Sequence, residues 1–301
     1  MKNRILLITT LCGVTISTLF VGAKYTEYQD QEKAFNLSQH IRSVPIPQKI
    51  SFAGEIVPLN KFEVLERLDR ELTVNTFWQS NTLLILKRSK MYFEIIEPIL
   101  RKNGVPDDFK YLAVAESGLQ DVTSPSGAKG VWQFMPSSGL AYGLEINNNV
   151  DERYLLEKST EAACQYLLEA YRKFGNWTLA AAAYNRGMSG ISNDLNKQLV
   201  SDYYELHLNS ETSRYLLRII AFKAIFETPS TYGFHIEDRD YYAEPKTIPI
   251  SIDSTIPNIS EYAQSIGSNY HVIKSLNPWI LGNELSVSGE KNYQIKAPLI
   301  N

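Results

Sequence analysis

The sequence predicts a mainly α-helical protein that ends in a small α+β module. Over residues 61–240, apolar residues recur every three or four positions, which is the period of an amphipathic helix, and no strand pattern competes. Farther along, Ile248, Ile250 and Ile252 alternate with other residues, as in a half-buried strand. We therefore expect a helical domain over residues 61–240, followed by a small module over residues 245–301.

The composition describes a globular protein with a full core and argues against several functional classes. The 301 residues are 44% apolar and 21% charged, and the net charge of −3 gives no basic excess for binding nucleic acid. The four histidines are scattered, without metal-ligand or nucleophile spacing, so the sequence predicts no metal site and no cofactor. Cys164 falls on an apparent helix and is expected to be a small core residue.

The N-terminus has the pattern of an export signal. Lys2 and Arg4 precede an uncharged run over residues 5–23, and the end of that run, Ala23 after a glycine, resembles a cleavage site. Residues 1–23 are therefore expected to be a signal peptide. A membrane anchor is the alternative, because a run of this length nearly spans a bilayer. Either reading predicts an exported protein of the periplasm or cell envelope.

The next segments follow in order. Residues 24–60 are polar and contain three prolines, which is typical of a linker or of an arm against the domain. An amphipathic helix is expected from about residue 62, followed by a long helical segment over about 76–102. Pro98 should kink or divide that segment.

Farther helices flank a region without periodicity. Residues 119–150 are rich in Gly, Ser and Pro, and a loop of that length in a compact domain is usually functional. Helices are expected over about 158–174 and 176–187, the second containing four consecutive alanines. A last helix of the domain is expected over about 211–226.

Glu116 breaks the pattern of its helix. It falls on the same apolar stripe as Phe109 and Leu112, where a carboxylate is rarely tolerated without a reason. Gly118 then ends the helix. Burial and the negative end of the helix dipole both raise the pKa of such a carboxyl group. The position therefore indicates a general acid.

Four motifs carry a family resemblance. Glu116-Ser117 ends one helix, residues 127–136 read GAKGVWQFMP, Ala183-Tyr184-Asn185 ends the alanine helix, and residues 211–225 read ETSRYLLRIIAFKAI. Their content and order resemble the lysozyme-like lytic transglycosylases. The resemblance implies a lysozyme-like helical catalytic domain that acts on peptidoglycan glycan strands.

The resemblance also implies a mechanism with one catalytic carboxylate, at Glu116. As an acid, Glu116 would protonate the glycosidic oxygen between MurNAc and GlcNAc. As a base, it would then deprotonate the MurNAc 6-hydroxyl, which attacks the anomeric carbon and gives a 1,6-anhydro sugar. An intramolecular nucleophile has a high effective molarity, so no second carboxylate is needed to activate water.

The resemblance places several substrate-binding residues around Glu116. Ser117 would hydrogen-bond to Glu116, and Tyr184 would lie within hydrogen-bond reach of it. The remaining residues would contact the sugar or wall the cleft, and they are Trp132, Gln133, Phe134, Asn185 and Glu211. Each has a structural alternative, which is a core anchor for the aromatic residues, a loop brace for Gln133 and helix-end stabilisation for the others.

The C-terminal module has a βααβ pattern. Asn258 is expected to cap a first short helix that ends at Gly267, a second covers about residues 270–276, and residues 292–298 can return as a strand. The stretch SLNPWI and the closing strand resemble a LysM module, which binds peptidoglycan. The usual opening Gly-Asp pair is missing, because residues 251–255 read SIDST.

Two other functions compete with the lyase. A hydrolase of the lysozyme type would need a second carboxylate, for which Asp121 is the candidate. An inactive wall-binding scaffold on the same fold is the third possibility, and the presence of Glu116 argues against it.

Overall fold

A computed structural model describes residues 42–289 and 291–299. The predicted signal peptide or anchor, residues 1–23, lies outside the described residues, as does the first part of the predicted arm. Within the described ranges, no helix is both long and apolar enough to cross a membrane. The chain from Val44 onward forms one compact unit.

The first part of this unit is helical, apart from one short hairpin. Among the described residues its strands and α-helices are β1 (Ser51–Phe52), β2 (Glu55–Ile56), α1 (Phe62–Phe77), α2 (Gln79–Asn103), α3 (Lys110–Ser117), α4 (Pro136–Ala141), α5 (Leu156–Phe174), α6 (Trp177–Arg186), α7 (Met188–Gln198) and α8 (Thr212–Glu227). The expected helices are confirmed within a few residues at each end. The mainly α fold class is therefore confirmed.

The second part is the small module. It consists of β3 (Thr247–Ile252), α9 (Ile259–Ser265), α10 (Tyr270–Leu276) and β4 (Tyr293–Pro298). The strands β3 and β4 pair antiparallel, with Ile250 opposite Ile295. The Asn258 side chain accepts hydrogen bonds from the first-turn N–H groups of α9, as a cap does. The predicted βααβ order is confirmed.

The core of the helical part surrounds α3. Leu112 and Ala113 of α3 are fully buried. In α6 the four alanines at 180–183 are also fully buried, and such small side chains let neighbouring helices approach closely. Gly118 follows α3 with φ of 60°, a left-handed conformation that glycine adopts at little cost. These features fix the end of α3, where Glu116 lies.

Two helices differ from the expectation. The long segment begins after Trp78, and the prediction that Pro98 could divide it is wrong, because Pro98 lies inside α2 without ending it. The break between α1 and α2 is stabilised locally, because the Thr82 hydroxyl donates to the Asn75 carbonyl over 2.6 Å. The helix α7 was not predicted, and Ile191 is its one fully buried residue.

Part of the predicted arm packs into the helical domain. Phe52 of β1 is fully buried and meets Phe109 edge to face, with ring centroids 5.1 Å apart. Glu55 of β2 accepts hydrogen bonds from the N–H groups of Trp177 and Thr178 at the start of α6. A carboxylate at a helix N-terminus is favourable there, so the hairpin is a structural part of the domain.

One of the segments that join the module to the helical part is residues 149–151. Val150 lies in the apolar core of the module, and it pairs with Ile280 as an isolated β-bridge. The N–H of Asp151 donates to the Trp279 carbonyl over 2.9 Å, and the N–H of Leu281 donates to Asn149 over 2.8 Å. Residues 149–151 therefore act as a strand that both parts share.

The loop between α3 and α4 is held by a buried ion pair. Arg153 pairs with Asp151 over 2.7 Å, and both side chains are almost completely buried. The Arg153 guanidinium also donates to the carbonyls of Gly127 and Phe134, each over 3.1 Å. Two distant points of the loop are thus tied to one cation.

Gly130 in this loop should tolerate no side chain. Its φ is 77°, and an added Cβ would lie 1.9 Å from the Arg153 carbonyl oxygen. We expect Gly130→Ala to lower the free energy of unfolding by about 3 kcal/mol or more, measured by urea denaturation.

Gly127→Ala is the matched control. Its φ is 87°, but an added Cβ would meet no atom within 4 Å. It should cost only the backbone strain, about 1 kcal/mol. Equal losses for the two variants would contradict the steric argument.

Candidate active site

Glu116 lies in the last turn of α3 and opens into a cavity of about 400 Å³. The cavity is formed by side chains of α1, α3 and α8, with the start of α2 at its rim. The Glu116 side chain is partly buried, so its carboxyl group is withdrawn from bulk water and still reachable from the cavity. This is the environment expected from its place on the apolar stripe.

The surroundings of Glu116 tune its acidity. Burial raises the pKa of Glu116 to about 7, while a hydrogen bond from Tyr215 and the charge of Arg218 lower it, and the charge of Glu211 raises it. Desolvation outweighs the two stabilising contacts. Near neutral pH the group therefore populates both protonation states, which suits a carboxyl that must give and take a proton.

Tyr215 is the site residue that the sequence analysis did not single out. Its buried hydroxyl donates to Oε1 of Glu116 across a very short contact. Tyr215 lies one turn after Glu211 in the motif over residues 211–225. Its place in that motif was the available signal.

Tyr184 has a partner other than the one expected. Its hydroxyl donates to the Trp132 carbonyl over 2.8 Å, whereas Tyr215 takes the place on Glu116. Tyr184 is still near the acid, because burial and then the charge of Glu116 raise the pKa of Tyr184 well above its usual value. The expected place of Tyr184 within hydrogen-bond reach of Glu116 stays a prediction, and its observed bond to the Trp132 carbonyl holds the loop.

The prediction for Ser117 is also corrected. The sequence analysis expected it to hydrogen-bond to Glu116, but its hydroxyl donates to the Val131 carbonyl over 2.9 Å. The same oxygen accepts from the N–H of Gln120 over 3.3 Å. Consecutive residues of a helix point about 100° apart, so Ser117 faces the loop while Glu116 faces the cavity.

Trp132 and Phe134 are core anchors. Trp132 has no exposed surface, and its indole N–H donates to the Thr160 hydroxyl over 2.8 Å. Phe134 is 3% exposed and meets Tyr184 edge to face, with ring centroids 6.0 Å apart. Burial leaves neither ring available to wall a cleft, which corrects that expectation in favour of the structural alternative.

Gln133 lies between these two anchors and has a left-handed backbone with φ of 50°. Its amide group donates to the carbonyl of Gly130 over 2.8 Å and to that of Val122 over 3.1 Å. The amide nitrogen therefore braces the loop, as the structural alternative supposed. The residue remains partly exposed.

Asn185 and Glu211 lie where α6 meets the start of α8. Oδ1 of Asn185 accepts from the Thr212 hydroxyl over 2.8 Å and so links the two helices. Glu211 is exposed and immediately precedes α8, and its charge acts on the pKa of Glu116. Glu211 thus acts on the acid through its charge, while Asn185 is placed by its bond to the start of α8.

Asp121 belongs to another part of the surface. Its side chain is exposed and lines a separate cavity of about 1150 Å³ between α2 and the module. It does not line the cavity that contains Glu116. Within the described residues, no group of His, Cys, Asp and Glu side chains is arranged to hold a metal ion.

The buried acid should make stability depend on pH. Because the pKa of Glu116 is raised from 4.5 to about 7, the folded protein binds more protons than the unfolded chain between these values. Stability is then fully present below about pH 4.5 and falls as the pH rises through 7. Glu116→Gln should match the wild type near pH 4 and exceed its free energy of unfolding near pH 8, by up to about 3 kcal/mol.

Urea denaturation at the two pH values measures this difference. An advantage of Glu116→Gln that is the same at both pH values would contradict a raised pKa, since a pure packing effect does not titrate.

Comparison with known proteins assigns the two parts. Residues 93–206 match the model of the transglycosylase SLT domain, and residues 248–300 match that of the soluble lytic transglycosylase C-terminal LysM-like domain. The membrane-bound lytic murein transglycosylase D of Escherichia coli K12 is 28% identical over 208 residues, which are 67% of this chain and 45% of that protein. The same protein from Escherichia coli O6:H1 matches equally. The chain therefore spans less than half the length of these relatives.

The 70 kDa soluble lytic transglycosylase of Escherichia coli superposes with a TM-score of 0.40 and 22% identity, over 49% of this chain and 26% of that one. A superposition over half of the chain with this TM-score does not establish the fold. The fold follows from the helices and strands themselves. The domain assignment rests instead on the two matched regions. This chain accordingly contains a transglycosylase SLT domain, and a LysM-like domain of the soluble lytic transglycosylase type follows it.

Proposed function

We propose that the protein is a peptidoglycan lytic transglycosylase that cleaves the bond between MurNAc and GlcNAc without water. The single observation that carries the proposal is Glu116, a partly buried carboxyl group with its pKa raised to about 7, at the end of a helix inside the SLT domain. The similarity to lytic murein transglycosylase D supports the same reaction class.

The reaction begins with Glu116 as the acid. The protonated carboxyl gives its proton to the glycosidic oxygen, the bond from that oxygen to C1 of MurNAc breaks, and GlcNAc leaves with a new hydroxyl. Positive charge develops at C1. The Glu116 carboxylate that remains lies where it can stabilise that charge.

The same carboxylate then acts as the base. It takes the proton of the MurNAc 6-hydroxyl while O6 attacks C1, which gives the 1,6-anhydro end and restores the protonated acid. Atoms balance without water, because the nucleophile belongs to the sugar itself. A pKa of about 7 serves both directions of proton transfer at neutral pH.

Tyr215 has a defined part in this cycle. Its hydroxyl donates to Glu116, and such a bond favours the carboxylate over the neutral acid. It therefore stabilises the state of Glu116 that follows the first proton transfer. Tyr215 is a positioning residue, since it acts through Glu116.

Substrate contacts are proposed for Gln133, Asn185 and Glu211. All three are at least partly exposed and the charge of Glu211 acts on Glu116, whereas Ser117 and Tyr184 hold the loop that carries Gln133. Trp132 and Phe134 contribute by anchoring that loop in the core.

The LysM-like module is proposed to bind glycan strands, and the protein to act in the periplasm or cell envelope. Membrane attachment through residues 5–23 is part of the same proposal.

The hydrolase alternative needs Asp121 as the second acid. Asp121 lines the cavity beside the module and does not line the cavity that contains Glu116. This separation favours the lyase.

Analysis of the products tests the reaction. Wild-type protein should release 1,6-anhydroMurNAc ends from purified sacculi, as measured by mass spectrometry, and Glu116→Gln should lower the rate at least about 10³-fold. Asp121→Asn is the matched control and should retain the activity. Reducing ends in the products, or loss of activity in Asp121→Asn, would support the hydrolase instead.

The pH dependence of kcat/KM tests the role of Tyr215. Activity should fall as the pH rises above about 7, because the acid form of Glu116 is lost. Tyr215→Phe removes a contact that lowers the pKa of Glu116, so the midpoint of this alkaline limb should move to higher pH. Tyr203→Phe, a buried tyrosine that donates to the carbonyls of Thr212 and Ser213, should leave the midpoint in place. A shift to lower pH in Tyr215→Phe would contradict the assignment.

A further inference from the structure

We propose that three arginines beside Glu116 form an anion subsite for a carboxylate of the peptide attached to MurNAc. Arg70 on α1, with Arg214 and Arg218 on α8, lines the same cavity as the acid, and we name these three residues the arginine cluster. The inference rests on the proposed function, because it names a further contact of the same substrate.

The arginine cluster is organised by one buried carboxylate. Glu71 is 2% exposed, and its oxygens lie 2.6 Å from Arg70, 3.3 Å from Arg218 and 3.6 Å from Arg214. The three long side chains come from two helices and converge on this group. A guanidinium that is already ordered loses little conformational freedom when it binds a ligand.

The arginine cluster carries more positive charge than Glu71 neutralises. Three guanidinium groups against the carboxylate of Glu71 leave an excess of two positive charges, and an ionised Glu116 in the same cavity offsets one of them. The whole chain has a net charge of −3, so this wall differs in sign from the protein around it. A local positive potential in a concave site attracts anions.

Hydrogen-bond donors of the arginine cluster remain for a ligand. Each guanidinium has five N–H groups, whereas Glu71 receives one hydrogen bond from Arg70 and one from Arg218. Arg214 is too far from Glu71 for a hydrogen bond and gives its Nε–H to the Ser210 carbonyl. The arginine side chains are 26–45% exposed and that of Glu71 is 3% exposed, so the donors are accessible and the acceptor is not.

The chemistry of the substrate provides a matching anion. The sugars of a peptidoglycan strand are uncharged when the lactyl group of MurNAc is amide-linked to its peptide. The free carboxylates therefore belong to that peptide. Arginine binds carboxylates in a two-pronged, charge-assisted geometry. Trp78 at the cavity rim is 59% exposed and offers an apolar face for the rest of the peptide.

The test compares two forms of the same defined glycan strands. In one form the peptide carboxylates are free, and in the other they have been converted to amides. The wild type should have a kcat/KM about tenfold or more higher on the free form. The double variant Arg70→Gln/Arg214→Gln should reduce this preference to near one. Arg218 is kept, because its charge acts on the pKa of Glu116.

Arg172→Gln/Lys173→Gln is the matched control. It removes the same two positive charges from the exposed last turn of α5, at residues that do not line the cavity. It should keep the wild-type preference. An equal loss of preference in this control would mean that overall charge decides, which overturns the subsite.

A single variant keeps the test decisive if the double variant fails to fold. Arg70 is the most exposed member of the arginine cluster, at 45%, and Arg70→Gln leaves Glu71 paired with two arginines. It should lose part of the preference for free carboxylates. An unchanged preference in folded Arg70→Gln, as in the folded double variant, overturns the proposal.

The outcomes separate the subsite from the proposed function. A wild type that gives no 1,6-anhydro ends from either form contradicts the proposed function. Equal cleavage of both forms by the wild type leaves that function standing and overturns the subsite. Strands stripped of their peptides carry a free lactyl carboxylate. If the arginine variants lose kcat/KM only on these strands, the arginine cluster binds the lactyl carboxylate, and the peptide subsite is overturned.

Discussion

The burial of one carboxyl group at the end of α3 is the constraint on which the site depends. Glu116 lies on the apolar stripe of its helix, so folding withdraws it from water and raises its pKa to about 7. The helix cannot rotate this residue outward without exposing Leu112 and Ala113, which are fully buried. The acidity of Glu116 is thus secured by the core rather than by a flexible loop.

The cavity contains a second buried carboxylate with the opposite surroundings. Glu71 is even less exposed than Glu116, but it is satisfied by arginines, whereas Glu116 has a tyrosine as its hydrogen-bond donor. A charged partner compensates the cost of burial, and a neutral donor compensates it only in part. The two acids in one cavity therefore have different environments, since Glu71 is paired with arginines and Glu116 keeps a raised pKa.

The sequence predicted the elements better than the contacts. Apolar periodicity located α3 and placed Glu116, because helical spacing alone determines which face a residue shares. It did not distinguish Ser117 from Glu116 as a site residue, since that depends on which neighbour each faces. For the same reason, Trp132 was expected at the wall of the cleft and Tyr215 was not predicted as a site residue. Their partners, Thr160 and Glu116, lie far along the chain, and short spacing carries no information on them.

Residues 149–153 contact both the LysM-like module and the loop that follows Glu116. Val150 belongs to the core of the LysM-like module, while Arg153 holds the loop that leads past Glu116. The backbone contacts of residues 149–151 with Trp279, Ile280 and Leu281 dock the module against the helical part. A glycan strand gripped by the module would meet the acid at a set number of sugars from its point of attachment. The separation between the module and Glu116 would then set the length of the fragment that the proposed reaction releases.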